Sequence, residues 1–282
     1  MPRQPHHRTS RALRALTAIA LALTLSLALA LELVFLDVGQ GSSVLIRSPE
    51  GHTVLYDAGD NAANTLAQLH ELDVARLDLI IASHAHADHI GGMSDVLDAL
   101  PPTFYIDNGV PHTTVTYERT LESLEASGAR LLEPTRRTIG LGNATLTIVP
   151  PPRDPNLGHN NNSIGVLIAY HDFRAFLPGD AEPDLWNHWL THHPDLIQPV
   201  QVHLASHHGS RNGDTPEALA RLTPTVIVIQ TGTNNPYDHP HDEALALYHQ
   251  IGATVLRNDH HGRISVRVEP DSSYRIYIEK QP

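Results

Sequence analysis

The segment Ser83-His84-Ala85-His86-Ala87-Asp88-His89-Ile90-Gly91-Gly92 constrains this chain more than any other. It directly follows a short apolar strand read at Leu77–Ala82, so four potential ligands fall within six positions at the C-terminal end of a strand. A chain that leaves a strand and enters a helix start can turn such side chains into one cleft. His84 and His86, two apart, could converge on one metal, and Asp88 and His89 could face a second. The Gly91-Gly92 pair lets the backbone turn closely. A solvated surface cluster is the competing reading, but this cluster sits on an apolar strand and not in a tail. Composition agrees with a metal site. The 282 residues include 21 His, a common metal ligand and acid–base group. They include no Cys, which excludes disulfides, thiolate-ligated zinc, iron–sulfur clusters and thiol catalysis.

The rest of the chain reads as strands alternating with helices. Strands are expected at Leu33–Val38, Ser43–Arg47, Thr53–Asp57, Thr103–Ile106, Ala144–Val149, Val200–Ala205 and Thr225–Gln230. A hairpin joins Ser163–Tyr170 to Phe173–Leu177, and three short strands finish the chain to Ile278. Helices are expected at Ala62–Leu72, Met93–Leu100, Tyr117–Ala126, Glu182–His192, Pro216–Leu222 and Asp242–Ile251. Antiparallel pairs in both halves, interleaved with helices, predict two packed mixed sheets with helices outside. No internal repeat or long low-complexity linker follows residue 31.

At the N-terminus, Arg3, Arg8, Arg11 and Arg14 precede an uncharged Ala- and Leu-rich run from Ala15 to Leu31. A basic start, an apolar stretch and the small residues Ala28 and Ala30 match a secretory signal peptide cleaved after Ala30; an uncleaved anchor is the alternative. Residues 1–30 are therefore expected to be a leader or anchor and 31–282 the folded domain. The protein is expected to be exported, touching a membrane only through residues 11–31 if uncleaved. Without residues 1–30 the chain keeps 15 of its 19 Lys+Arg and all 31 Asp+Glu, a balance of −16. Such a surface repels polyanions at long range, so any phosphate chemistry needs a local cationic centre.

His-x-His-x-Asp-His at 84–89 is the signature of the metallo-β-lactamase fold, and the chain resembles one branch of that family. Phe35-Leu36-Asp37-Val38-Gly39-Gln40-Gly41, Ser83–Gly92, Asn162-Ser163, Pro178-Gly179-Asp180, His207-His208-Gly209-Ser210 and Asn235-Pro236-Tyr237-Asp238-His239-Pro240 occur in that order. This order resembles the soluble hydrolase domain of ComEC-type competence (DNA-internalisation) proteins, from about Leu33 to Val268. The resemblance implies an α/β fold, a four-layer αβ/βα sandwich of two mixed sheets with outer helices. It implies two divalent ions, zinc or manganese, on His84, His86, Asp88, His89, Asp180 and His207. Asp180 would bridge them, although an Asp there also suits the N-cap of the following helix. His207 and His208 both end an apolar strand; strand alternation points them to opposite sides, and His207 is favoured as the ligand. Asn162, Ser163, His208, Ser210 and His241 would support the ligands or touch substrate. Asp88 would also orient the nucleophile, and His239 would protonate a leaving alkoxide or be a solvated loop residue.

Two departures stand out. Where most members of the fold place a third His, this chain has His159-Asn160-Asn161-Asn162-Ser163, which shifts the first ligand set towards oxygen and suits manganese. Ser42-Ser43 stands where the branch has Asp-Ser, so one carboxylate is missing near the cleft. The resemblance implies a metal-dependent hydrolase that cleaves phosphodiesters with activated water, DNA being the favoured substrate. A phosphoesterase acting on cell-envelope or small-molecule esters and a catalytically silent metal-binding module are the alternatives. No sequence feature points to a protein partner.

Overall fold

A computed structural model describes residues 30–61 and 63–281. The chain opens with β1 (Leu31–Phe35), β2 (Val44–Arg47) and β3 (Thr53–Tyr56), antiparallel neighbours in a meander. Helix α1 (Thr65–Glu71) leads to β4 (Leu79–Ile81), which pairs parallel with β3. This strand is shorter than the expected Leu77–Ala82; at its mouth the Asp78 carboxylate accepts the Thr53 backbone N–H at 2.9 Å. Then come α2 (Ala87–Ile90), α3 (Met93–Ala99), β5 (Phe104–Ile106), α4 (Val115–Ser127), β6 (Arg130–Leu131) and β7 (Arg137–Leu141). The second half runs β8 (Ala144–Val149), β9 (Gly165–Tyr170), β10 (Phe173–Leu177), α5 (Pro183–His192), β11 (Val202–Leu204) and α6 (Pro216–Leu222). It ends with β12 (Val226–Ile229), α7 (Asp242–Gln250), β13 (Thr254–Arg257), α8 (Asn258–His261), β14 (Ile264–Val268) and β15 (Tyr274–Ile278).

Two sheets result, eight strands in the order β15-β14-β1-β2-β3-β4-β5-β6 and seven in the order β13-β12-β11-β10-β9-β8-β7. Alternation explains the layering. Ile264, Val266 and Val268 of β14 are buried while Ser265 and Arg267 turn outward, so one face of the strand enters a core. That core lies between the sheets and joins Leu33, Phe35 and Ile46 of one to Leu146, Ile168 and Leu177 of the other. The outer face of the first sheet carries Val34, Leu45 and Ile80 against Leu69, Val96, Leu97 and Leu124 of its helices. The second sheet buries Phe176 and Leu167 against Trp186 and Trp189 of α5. Helix, sheet, sheet, helix is the expected four-layer sandwich.

Leu31, the last residue of the apolar N-terminal run, is the first residue of β1, wholly buried between the sheets and paired with Val268. The expected leader lies, apart from Ala30, outside the described residues. Among the described residues no helix is long and apolar enough to cross a membrane. β3 and β4 run parallel in one sheet, and β10, β11 and β12 run parallel in the other. Their C-terminal ends carry Asp57, His84, Asp180 and His207-His208, and it is these ends that build the site.

Candidate metal centre

The 84–89 segment is fixed from both sides. His86 precedes the first turn of α2, and the carbonyl of His86 accepts the N–H groups of His89 and Ile90 at 3.0 Å. This tight turn swings His84, His86, Asp88 and His89 to one side. The Gly39-Gln40-Gly41 turn lies directly over it. The Ser42 N–H donates to the Asp88 carbonyl at 2.9 Å, and a Cβ on Gly41 would sit 2.4 Å from that oxygen. Only glycine allows the approach.

Asp180, buried after β10, stands at the centre. Its Oδ1 lies 3.1 Å from His89 Nε2 and 3.5 Å from His208 Nε2, whereas its Oδ2 lies 3.8 Å from both His84 Nε2 and His207 Nε2. Each oxygen thus faces a different group of imidazoles. Two donor sets share the carboxylate: His84, His86 and Asp180 in one, Asp88, His89, His208 and Asp180 in the other. Asp180 does not cap α5 with its side chain; Glu182 occupies the cap position.

The outer nitrogens of these rings are tied down. His89 Nδ1 meets the Asp57 carboxylate at 2.8 Å, and His208 Nδ1 meets the Gln230 carbonyl at 2.9 Å. A ring that donates through Nδ1 must present an Nε2 lone pair, the form that binds a metal. His84 Nδ1 lies 3.1 Å from Ser83 Oγ and 3.3 Å from Ser163 Oγ. Asp57 also accepts the Ser83 N–H and hydroxyl, at 2.7 and 2.8 Å. One buried carboxylate therefore orients both the strand exit and His89.

The donor set fits divalent cations. His89 Nε2 and His208 Nε2 are buried with no hydrogen-bond partner, although carboxylate oxygens of Asp180 and Asp88 lie 3.1 and 3.2 Å away. Burial, and then the neighbouring His89, push His84 well below the ordinary imidazole range, which leaves it neutral. Burial raises Asp180, but His89 and His208 outweigh it and hold the carboxyl well below its usual range. Burial would lower His89; Asp180, Asp57 and Asp88 reverse that and raise it strongly. The carboxylates therefore favour positive charge at the point where the imidazoles converge, and a bound cation supplies it.

Of the two histidines after β11, His208 and not the favoured His207 completes the second set. The strand does not persist: Ser206–Gly209 is a tight turn in which both residues have positive φ, 50° and 56°, so strand alternation does not apply. His207 instead sits between Asp180 Oδ2 and Glu182, with Nδ1 3.3 Å from Glu182 Oε1. Asn160, in the His159–Ser163 segment, reaches His207 Nε2 with its amide nitrogen at 3.4 Å, and its Oδ1 is buried without a partner.

The remaining expected residues divide. Ser163 supports the centre, accepting the Asp180 N–H at 3.1 Å. Asn162 does not face the cleft; its amide bonds the Asp154 and Gly158 carbonyls at 2.7 Å and knits the preceding loop. Ser210 closes the histidine turn, its N–H donating to the His207 carbonyl at 2.8 Å. His241 accepts the Arg211 N–H at 3.1 Å and lies behind His239. His239 does line the cleft, but burial, and then His208 and His207, pull it down to about 4.

The cleft holds about 500 Å³ over both donor sets. Gln40, Asp60, His112, Thr114, Asn160 and Tyr237 line it as well; Gln40, Asn160 and Tyr237 entered the sequence reading only inside longer motifs, and Asp60, His112 and Thr114 not at all. Gln230 was also missed. Its amide receives the Ser42 hydroxyl and the Ser43 N–H and donates to the Leu36 and Ser43 carbonyls, which ties β12 to the Gly39–Gly41 turn. Ser42, at the position where a carboxylate was missing, commits its hydroxyl to Gln230.

The sequence profile of the metallo-β-lactamase superfamily matches residues 36–231, which span both donor sets. The chain belongs to this superfamily. ComE operon protein 3 of Bacillus subtilis (strain 168) is 24% identical over 255 residues, covering 82% of this chain and 32% of the relative. The chain spans about a third of the length of the curated competence-protein relatives it matches. Two solved structures share the fold. CmlA, a diiron β-hydroxylase from Streptomyces venezuelae, superposes with a TM-score of 0.55 at 17% identity over 84% of this chain and 54% of its own. Igni18, a metallo hydrolase from Ignicoccus hospitalis, gives 0.52 at 15% identity over 88% and 98%. A superfamily scaffold that carries both a hydroxylase and a hydrolase does not by itself choose the reaction; the donors must.

Proposed function

We propose that this chain is an exported, metal-dependent phosphodiesterase whose favoured substrate is DNA. The observation that carries the reading is the Asp180 carboxylate, with one oxygen towards each of two histidine groups. His84, His86 and Asp180 would hold one divalent ion, zinc or manganese, and Asp88, His89, His208 and Asp180 would hold the other. When bound, such a pair lowers the pKa of water and stabilises both attacking and leaving oxygens in displacement at phosphorus. The chain's own groups set the rest. Asp88, a quarter exposed at the cleft and kept ionised by His89 and His208 against its burial, accepts a hydrogen bond from the attacking water and aims it. His239 and Gln40, 3.4 Å apart at the rim, hydrogen-bond the departing side of the ester. No Ser, Cys or Lys nucleophile is needed.

The similarity to competence proteins supports a nucleic-acid substrate, and the basic-then-apolar N-terminus supports export. A second reading, a phosphoesterase for small or envelope esters, is favoured by a cleft lining that includes no Lys or Arg. The test is metal analysis of the full chain by mass spectrometry, followed by turnover of single-stranded DNA and of bis-nitrophenyl phosphate with the metal found. Expected are close to two ions per chain and turnover of both substrates, at least a hundredfold lower in Asp180→Ala. Bound metal without turnover of any phosphoester would leave the silent binding module in its place.

A further inference from the structure

Among the described residues few large apolar side chains are left exposed, and of these Tyr237 lines the metal cleft. It is 58% exposed. A single exposed aromatic on a surface needs no explanation. This one is held in a particular pose. Its ring lies over His239 at 5.6 Å between centroids and 24° between planes, and His239 lies over His208 at 6.1 Å and 25°. Three near-parallel rings thus step outward from the second donor set to solvent, each within the range of offset aromatic stacking. The loop that carries them is pre-built. Asn235 donates to the Gly232 and His239 carbonyls at 3.0 and 2.7 Å and accepts the Tyr237 and His239 N–H groups at 3.2 and 2.9 Å. One side chain closes both ends of the loop, so the outer face of Tyr237 is presented with little freedom left to lose.

We propose that the outer face of Tyr237 is a stacking platform for the nucleobase beside the scissile phosphodiester, so that the substrate is single-stranded nucleic acid. The inference rests on the phosphodiesterase reading and adds what selects the substrate. The cleft lining has no Lys or Arg to grip the backbone, so recognition shifts from phosphates to a planar group. A stacked base meets that need without sequence preference, because every base has a π-face. In a duplex the bases are stacked on each other and no face is free for Tyr237. A quaternary ammonium group would also attract an aromatic ring, but such ligands take a cage of several rings. Here Tyr237 is the one Tyr, Trp or Phe in the lining.

The test uses the full chain with its native metal and two oligonucleotides of equal length, oligo-dT and one with abasic residues flanking the cleaved linkage. Phosphate chemistry is the same in both. Wild type is expected to favour oligo-dT in kcat/KM by about five- to a hundredfold, mainly through KM. Tyr237→Phe keeps this preference and Tyr237→Ala loses it. Equal handling of both by wild type, or a preference unchanged in Tyr237→Ala, overturns the platform. So does a phosphorylcholine diester turned over faster than oligo-dT with a rate that falls selectively in Tyr237→Ala. If wild type cleaves neither oligonucleotide, the phosphodiesterase reading fails. Fluorescence anisotropy of the labelled oligonucleotides then decides the platform separately: tighter binding of oligo-dT, lost in Tyr237→Ala, upholds it, and equal binding overturns it.

Discussion

At the residue scale, the two adjacent histidines at the end of β11 have different jobs although the sequence makes them equivalent. His208 is buried, its Nδ1 on the Gln230 carbonyl and its Nε2 between Asp88 and Asp180. His207 is partly exposed and paired with Glu182. His208→Ala is therefore expected to remove close to one ion per chain, whereas His207→Ala keeps the metal and lowers affinity or rate by about 10–100-fold, as groups that orient ligands do. Metal content after dialysis checks this, and the reverse pattern would return the ligand role to His207. That His84, His86, Asp88, His89 and Asp180 gather in one place was legible because they lie in contiguous motifs at strand ends. The His207–His208 choice was not, because it depends on two positive φ values that residue type alone does not signal. Asp57 was visible only as the last residue of a strand; its role as the partner of His89 needs a contact spanning 32 positions.

At the element scale, the turn that carries His208 is held by a buried network that links β11, the loop before α6, and α7. The Asp214 carboxylate accepts His203 Nε2 at 2.9 Å, the Ser206 N–H at 3.1 Å and the Tyr248 hydroxyl at 2.8 Å. Asp214→Ala leaves these three donors buried without an acceptor, at about 1–3 kcal/mol each, and is expected to destabilise the domain severely. Tyr248→Phe removes one bond and is expected to cost about 1 kcal/mol in urea denaturation at neutral pH. The two proteins should converge in alkali. Burial, then the Asp214 charge, raise the Tyr248 hydroxyl well above 10 in the folded state. Its stabilising share is complete below the unfolded value near 10 and is lost as pH rises towards the folded one, by up to about 1.4 kcal/mol per pH unit. A wild-type advantage that stays constant from pH 8 to 11 would refute this. Most elements of the sandwich were legible from periodicity and turn residues. β6 and β7 were not, since Arg130–Leu131 is exposed and Arg137–Leu141 alternates only weakly, as befits outer strands of the two sheets. α2 was hidden because its four residues are the motif itself.

At the scale of the whole molecule, charge sets the conditions under which the site can work. Residues 31–282 carry 15 Lys+Arg against 31 Asp+Glu, and two divalent cations would offset only four of the sixteen excess negative charges. A polyanionic strand feels this repulsion only once it comes within about a Debye length, near 30 Å at 0.01 M salt and 8 Å at 0.15 M. Proteins that track phosphates with Lys and Arg lose affinity as salt rises, because binding releases condensed counterions. The opposite is expected here. With no Lys or Arg in the cleft lining, added salt screens the repulsion and displaces few contacts. Raising sodium chloride from about 10 to 150 mM should lower KM for oligo-dT and leave kcat nearly unchanged. A short uncharged-leaving-group diester such as bis-nitrophenyl phosphate, with one negative charge, should respond much less. If KM for oligo-dT instead climbs tenfold or more over that range, several phosphates are being neutralised by basic side chains outside the cleft, and the strand must lie across a surface other than the Tyr237 rim.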